Sequence, residues 1–294
     1  MKSYSQSDLL EGLSRTGLNA GDTVLVGTRL FSLGRMREAT SRQNFLDRVF
    51  ACFMEVIGDE GTLVVHTYTT QTARFGKPFV WEKTPCINGM FPQYVLERSD
   101  SIRSIHPVNS FTATGANRHS ICSQNSRSNY GYGSPPHRLH EAGTRLTILG
   151  LGYGSSSLMH YAETLCAVPY CYNKLLKVPV YKNGTQLGEE FTANVRYLDL
   201  EFEYDYRAVQ KRLDDSGAVS SYPIGAGFIH GLSADDFCCT AFNMLCEDPF
   251  AFLRRRPDFV EGQLPYDGIT VGRDGVEQGA GLSGFDFSHE SDTH

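Results

Sequence analysis

The chain has 294 residues, 40% hydrophobic and 20% charged, with a formal net charge of -6. That length buries the core of one large domain or of two closely packed ones, and the acidic balance excludes a general nucleic-acid binder, which needs a basic face. No run approaches the roughly 20 apolar residues that span a bilayer, and neither a signal-peptide core nor a CxxC pair is present among its eight cysteines, so a cytoplasmic protein with reduced thiols is expected.

In chain order, SQSDLLEGLSRTG predicts a short capped helix ending at Gly17. GDTVLVGT predicts a buried strand from Thr23 to Val26 that leaves through a turn at Gly27. Residues 41–57 predict an amphipathic helix capped by Ser41, with Phe45, Leu46, Val49, Phe50, Phe53 and Ile57 on one face. A GDEG turn and the β-branched strand TLVVHTY follow, and this alternation implies an α/β class with a partly parallel sheet. Residues 70–100 carry aromatics, prolines and the only tryptophan, Trp81, and predict a long irregular, functional loop.

Further along, Arg145 to Leu149 predicts a strand, and a helix is expected from Leu158 to about Cys166. Val178 to Tyr206 predicts antiparallel strands around an Asn183-Gly184 turn. The last predicted helix, Ser233 to Cys246, is capped by Ser233 with acids in its first turn. Residues 1–280 are expected to form one domain and 281–294, which lack periodicity, a disordered tail.

The segment GLGYGSSSLMHYAE concentrates chemistry between the Arg145 strand and the Leu158 helix. A Gly- and Ser-rich loop entering a helix offers backbone N–H groups to an anion or oxyanion, and Ser155, Ser156 and Ser157 can cap the helix or donate hydroxyls. His160 and Glu163, at i and i+3, share one helical face, and a carboxylate that orients an imidazole suits a general base. The competing reading is a surface histidine beside a glutamate, with a loop that merely turns the chain. The glycines at 150, 152 and 154 lack the dinucleotide spacing and no Walker Gly-Lys-Ser/Thr exists, which disfavours a nicotinamide or ATP enzyme.

RSIHPVNSFTATG groups Arg103, Ser104, His106 and Ser110. These could hold cofactor phosphates, but the residues by themselves favour a His-Pro turn with Arg103 on the surface. YLDLEFEYDY alternates with period two, so a strand would bear Asp199, Glu201, Glu203 and Asp205 on one face, solvated or facing a cation. The pair His137 and His140 follows two prolines and lacks a carboxylate partner, so no metal site is expected.

Taken in order, GDTVLVGTRLFSLG, IGDEGTLVVHTYT, RSIHPVNSFTATG, YGYGSPPHRLHEAG, LTILGLGYGSSSLMHYAE and PIGAGFIHGLSADDFCCTAFNMLCEDPFAFL resemble the aminoglycoside 3-N-acetyltransferase family, over about Leu9 to Leu253. The resemblance implies a single three-layer α/β unit, a mixed, partly parallel sheet with helices on both faces. It implies acetyl-CoA or another acyl-CoA as co-substrate, a small-molecule amine as acceptor, neither nucleic acid nor membrane as partner, and is compatible with a homodimer. His160 takes the position of the family's catalytic histidine, with Glu163, Asp199 or Glu201 in support. Thr28, Arg29, Leu30, Arg103, Ser104, His106, Ser110, Gly152, Ser155 and Ser156 are expected along the CoA, and Tyr130, Glu163, Asp199 and Glu201 around the amine.

Three departures mark this chain. Gly27-Thr28-Arg29 stands where the family commonly has His-Ser-Ser, Tyr130 stands near a histidine position, and an aspartate is replaced within Thr69–Thr72. They weaken the case for an aminoglycoside and leave open a biosynthetic acyltransferase for another amine, with CoA or a carrier-protein thioester as donor. A non-catalytic amine-binding relative and a Cys-dependent hydrolase are the readings from other classes.

Overall fold

The structure, a computed structural model, describes residues 2–259 other than positions 125, 189, 198, 199 and 201, and not the side chains of Arg74 and Ser155. Ser5 caps the first helix, α1 (Gln6–Arg15), in a capping box with Asp8. The strand β1 (Thr23–Thr28) runs two residues further than the sequence suggests. Gly27 does not turn the chain, because it stays in register with Ile148 of the neighbouring strand. Ser41 caps α2 (Arg42–Ile57), which buries Leu46, Val49, Phe50, Phe53 and Ile57. Those five side chains contribute on the order of 10 kcal/mol. β2 (Thr62–His66) follows.

Residues 70–100 are more ordered than expected. They contain the helices Thr70–Arg74 and Met90–Leu96 and a short strand, Phe79–Val80. Pro92 reads as a breaker in sequence, yet it sits in the first turn of its helix, where the missing N–H has no partner to lose. That helix buries Phe91 against Phe53 of α2.

The main elements that follow are β3 (Ser101–Arg103), β4 (Phe111–Gly115), β5 (Arg145–Leu149), α3 (Leu158–Leu165), β6 (Cys171–Leu176), β7 (Phe191–Arg196), α4 (Tyr206–Ser216), β8 (Ser220–Ile224), β9 (Gly227–Ser233) and α5 (Ala234–Glu247), with shorter strands and helical turns between them. Seven strands form one sheet in the order β8-β9-β5-β1-β2-β4-β3. β1 is parallel to β2 and β5, and the other pairs are antiparallel. Alternation sorts the strand residues between the two faces. Val24, Val26, Leu63 and Val65 join the core under α1 and α2, while Leu25, Val64, Leu146 and Ile148 join the core under α3 and α5. The result is three layers, with a mixed sheet in the middle.

Antiparallel strands do occur around Asn183-Gly184, both residues with positive φ in a hairpin turn, and β6 pairs with β7. The acidic stretch, however, forms no strand among the described residues. Asp205 caps α4 and Tyr206 starts it, so local capping wins over the period-two pattern. Glu203 pairs with Arg254 at the surface, while Phe202 and Tyr204 pack on the core. Asp199, Glu201 and the expected 281–294 tail lie outside the described residues. No helix among the described residues is long and apolar enough to cross a membrane.

From β1 the chain crosses through α2 to β2 on one side and later returns as β5 on the other. Such a reversal opens a crevice beyond the carboxyl ends of the parallel strands.

Candidate active site

A cleft of about 330 Å³ occupies that crevice. The ends of β1 and β2 supply Thr28 and His66, and the loop and helix after β5 supply Gly152, Ser156, Ser157 and His160. Tyr68 also lines it.

His160 and Glu163 meet as their spacing on α3 predicts. His160 Nδ1 lies 2.6 Å from Glu163 Oε2. The carboxylate is 1% exposed, and its other hydrogen bonds among the described residues are with the hydroxyls of Tyr170, 2.8 Å from Oε1, and Tyr204, 3.3 Å from Oε2. Burial, and next the charge of Glu163, raise both phenols well above their usual range, so they remain donors. An ionised carboxylate only accepts, which puts the imidazole proton on Nδ1. Nε2 is then an acceptor, and it has no hydrogen bond among the described residues. The ring is held between Tyr130 and Tyr204, with centroids at 5.5 and 5.7 Å.

A second histidine, His66, was not singled out by sequence reasoning. Its Nε2 lies 2.7 Å from Ser157 Oγ. Burial lowers the imidazole to about 4, against the opposing effect of a hydrogen bond to the Val26 carbonyl. The available signal was its position at the end of a β-branched strand, where α/β sheets present ligand-binding groups. Ser157 occupies the cap position of α3 but makes no capping bond. The Leu158 N–H faces Ser156 Oγ at 3.4 Å, and those of Met159, His160 and Tyr161 are taken by bonds to the Ser156 and Ser157 carbonyls. The start of the helix therefore does not present the open row of donors expected there.

Arg103, expected on the surface by the residues themselves, is 4% exposed. Its guanidinium donates to Ser110 Oγ at 2.9 Å, Thr84 O at 2.6 Å and Thr67 O at 3.0 Å, and stacks on Phe79. Ser104 Oγ accepts from Phe111 N–H. His106 Nδ1 accepts from the N–H groups of Val108 and Asn109, and its Nε2 faces the Thr192 carbonyl. None of these four side chains lines the cleft. They hold loops together around it.

This burial has a pH consequence. His106 is 2% exposed, and burial lowers it from 6.5 to about 4. A base with a depressed native pKa folds without penalty above about pH 6.5. As pH falls from there towards 4, the unfolded chain takes up a proton that the native state refuses. His106 is therefore expected to cost about 2 kcal/mol of stability at pH 5, with a smaller loss from the partly exposed His66. Urea unfolding at pH 7.5 and 5 checks this, and His106→Gln should flatten the difference. A pH-independent gap between parent and variant contradicts it.

Among the other expected residues, Thr28, Gly152 and Ser156 line the cleft. Arg29 is exposed at the start of a 3-10 turn, and Leu30 is buried in the core under α1 and α2. Tyr130 is buried behind His160, its hydroxyl bonded to Tyr68 and Asn109. His137 and His140 lie on a short helix against aromatic rings. No group of three metal-ligating side chains occurs among the described residues. Burial pushes the Cys52 and Cys122 thiols up to about 12, the reverse of an activated nucleophile.

The family model described as aminoglycoside 3-N-acetyltransferase matches residues 25–246. Aminoglycoside N(3)-acetyltransferase VIII of Streptomyces fradiae is 26% identical over 202 residues, covering 62% of this chain and 68% of that protein. Aminoglycoside N(3)-acetyltransferase IV of Salmonella sp is 23% identical over 252 residues, covering 85% and 90%. Among solved structures, aminoglycoside acetyltransferase AAC(3)-Xa matches with a TM-score of 0.72 at 21% identity, over 83% of this chain and 93% of that one. AAC-IIIb in binary complex with CoASH matches with a TM-score of 0.71 at 20% identity, over 87% and 100%. The structural likenesses carry the fold, and the match over most of the chain carries more: this protein belongs to the aminoglycoside 3-N-acetyltransferase family of acyltransferases.

Proposed function

We propose that the protein moves the acetyl group of acetyl-CoA directly to an amine of an aminoglycoside or related amino sugar, in the cytoplasm, with His160 as general base. The observation that carries this reading is the 2.6 Å bond from His160 Nδ1 to the buried Glu163, which leaves Nε2 as the acceptor in the cleft. CoA as donor is supported by the relative solved with CoASH, and the amine by the relatives' names.

The amine nitrogen attacks the thioester carbonyl and the carbonyl electrons move onto oxygen. Nε2 takes the amine proton, and the imidazolium is stabilised by Glu163. The tetrahedral species then collapses, the C–S bond breaks, and His160 returns the proton to the departing thiolate. Thr28, Ser156 and the backbone near Gly152 are proposed beside the thioester, where each good oxyanion donor contributes about 3–4 kcal/mol. Arg29, exposed at the rim, is proposed for a CoA phosphate. Asp199 and Glu201 are proposed for the acceptor's other ammonium groups. Arg103, Ser104, His106 and Ser110 take no part in it, since their polar groups are already bonded inside the protein.

The test is a panel of aminoglycosides and simple amines with acetyl-CoA, followed by thiol release and product mass. Acetylated product from at least one amine is expected. Absence of thiol release from every amine, at acetyl-CoA concentrations that raise the melting temperature, overturns the reading.

A further inference from the structure

Gly27 lies inside β1 with no backbone reason to be glycine. It is not among the glycines with positive φ, and it keeps the strand register opposite Ile148. Beyond its chain neighbours, a Cβ built there meets only Ile148 among the described residues, at 3.7 and 3.9 Å, which is ordinary contact. Gly150, in the loop after β5, is the opposite case. Its φ is positive, and a Cβ there would collide with Ser32 Oγ and the Arg29 carbonyl.

The missing side chain at Gly27 leaves space in the cleft. Alternation puts Gly27 on the same sheet face as Leu25, towards α3. On that face Leu25 pairs with Leu146 of β5, and both line the cleft at its inner end. One row further out stand Ile148 on β5, Gly27 on β1, and His66, which follows the Val26–Val65 pair at the end of β2. That row has a side chain on each flank and none in the centre. The result is a slot over Gly27, walled by Ile148 and His66 and continuous with the part of the cleft that holds Thr28, Ser156 and His160.

The slot is apolar. Leu25, Leu146 and Ile148 carry no polar side-chain atom, and His66 Nε2 is bonded to Ser157 Oγ at 2.7 Å. The backbone beneath belongs to the ladders that β1 makes with β2 and β5. An amino sugar, polar over its whole surface, would lose its hydration there without gaining partners, and so would the amides of a pantetheine arm. A short saturated chain loses nothing of the kind.

In the acetyl-transfer reading, the tetrahedral carbon bears four groups. The sulfur leads out to CoA, the nitrogen lies beside His160, and the oxygen lies beside Thr28 and Ser156. The acyl substituent takes the direction that is left, over Gly27 towards Leu25 and Leu146.

We propose that Gly27 is the specificity-determining residue for the acyl group, and that the slot it opens admits straight-chain acyl-CoA donors longer than acetyl, such as propionyl- and butyryl-CoA. The balance is that of acetyl transfer: the N–C bond forms, the C–S bond breaks, and the amine proton passes through His160 to the thiolate. The products are CoA and an N-propionyl or N-butyryl amide. The use of the slot by a donor rests on the acetyl-transfer reading, whereas the space over Gly27 does not.

The test compares acetyl-, propionyl- and butyryl-CoA on the parent, Gly27→Ala and Gly27→Val, by kcat/KM with one acceptor and by calorimetric binding. Each methylene buried in the slot is expected to tighten binding by roughly 4-fold, so butyryl-CoA should bind the parent roughly 10-fold more tightly than acetyl-CoA. In Gly27→Val the butyryl-to-acetyl ratio should fall by roughly 10-fold or more in both measurements, with Gly27→Ala in between. Weaker binding of butyryl-CoA than of acetyl-CoA by the parent, or a ratio that the substitutions leave unchanged, overturns the proposal. Should Gly27→Val fail to fold, Gly27→Ala decides, since its added carbon sits at ordinary contact distance. If the thioesters bind but none is transferred to any amine, the acetyl-transfer reading fails, and the binding ratios alone uphold or overturn the slot. If no thioester binds, both fall.

Discussion

Replacing His160 with alanine is expected to lower turnover by roughly 100- to 10,000-fold, with the fold and CoA binding intact. The side chain is 36% exposed at the cleft, so its removal leaves no buried void. What disappears is the only imidazole among the described residues whose Nδ1 is bonded to a buried carboxylate. Glu163→Gln should give a smaller loss, because a neutral amide still positions the ring but stabilises the imidazolium poorly. Steady-state rates with a verified acceptor, set beside melting temperatures with and without CoA, check both variants. Turnover near that of the parent in His160→Ala removes the general-base assignment.

Replacing Arg103 with methionine is expected to destabilise the protein by about 3–5 kcal/mol, while the Michaelis constant for acetyl-CoA hardly moves. The guanidinium bonds three carbonyls, Thr67, Thr84 and, at 3.4 Å, Trp81, and the Ser110 hydroxyl in the interior. Methionine fills similar volume but takes the guanidinium donor from the Thr84 and Trp81 carbonyls and one of two donors from the Thr67 carbonyl, which keeps the Ser110 hydroxyl; each acceptor left unmet costs about 1–3 kcal/mol where water cannot replace the donor. The cation–π contact with Phe79, at 4.7 Å, is lost too. Lysine keeps the charge and recovers only part of the loss, since one ammonium cannot reach three directions in a plane. Urea unfolding reads the first quantity and initial rates the second. A stable Arg103→Met protein with a raised Michaelis constant for acetyl-CoA would return the residue to the cofactor.

What could be read from sequence was what short-range geometry dictates. The α2 stripe, the cap at Ser233 and the strand Arg145–Leu149 depend on neighbours within a turn or two, and the structure has them where the patterns indicate. His160 and Glu163 belong to the same class, since a helix brings i and i+3 together. The parts that escaped are lateral contacts between distant segments. Ser157 and His66 are 91 positions apart and meet only because β2 and β5 flank β1. Tyr204 reaches Glu163 across 41 positions, and no local pattern marks that bond. Arg103 looked like surface because a charged residue before a turn usually is; its acceptors lie 19 and 36 positions away, on loops that read as irregular. The acidic stretch failed for a different reason: at Asp205 the side chain caps a helix, and that local competitor outweighs a strand-like alternation.

That the acyl donor and the amine meet in one cleft and react there directly, at His160, is tested most plainly by the initial-velocity pattern of thiol release with both substrates varied. Double-reciprocal lines that intersect are expected, because both substrates must be bound before the acetyl group moves. Parallel lines, the pattern of a covalent acyl-enzyme that releases CoA before the amine binds, would contradict it.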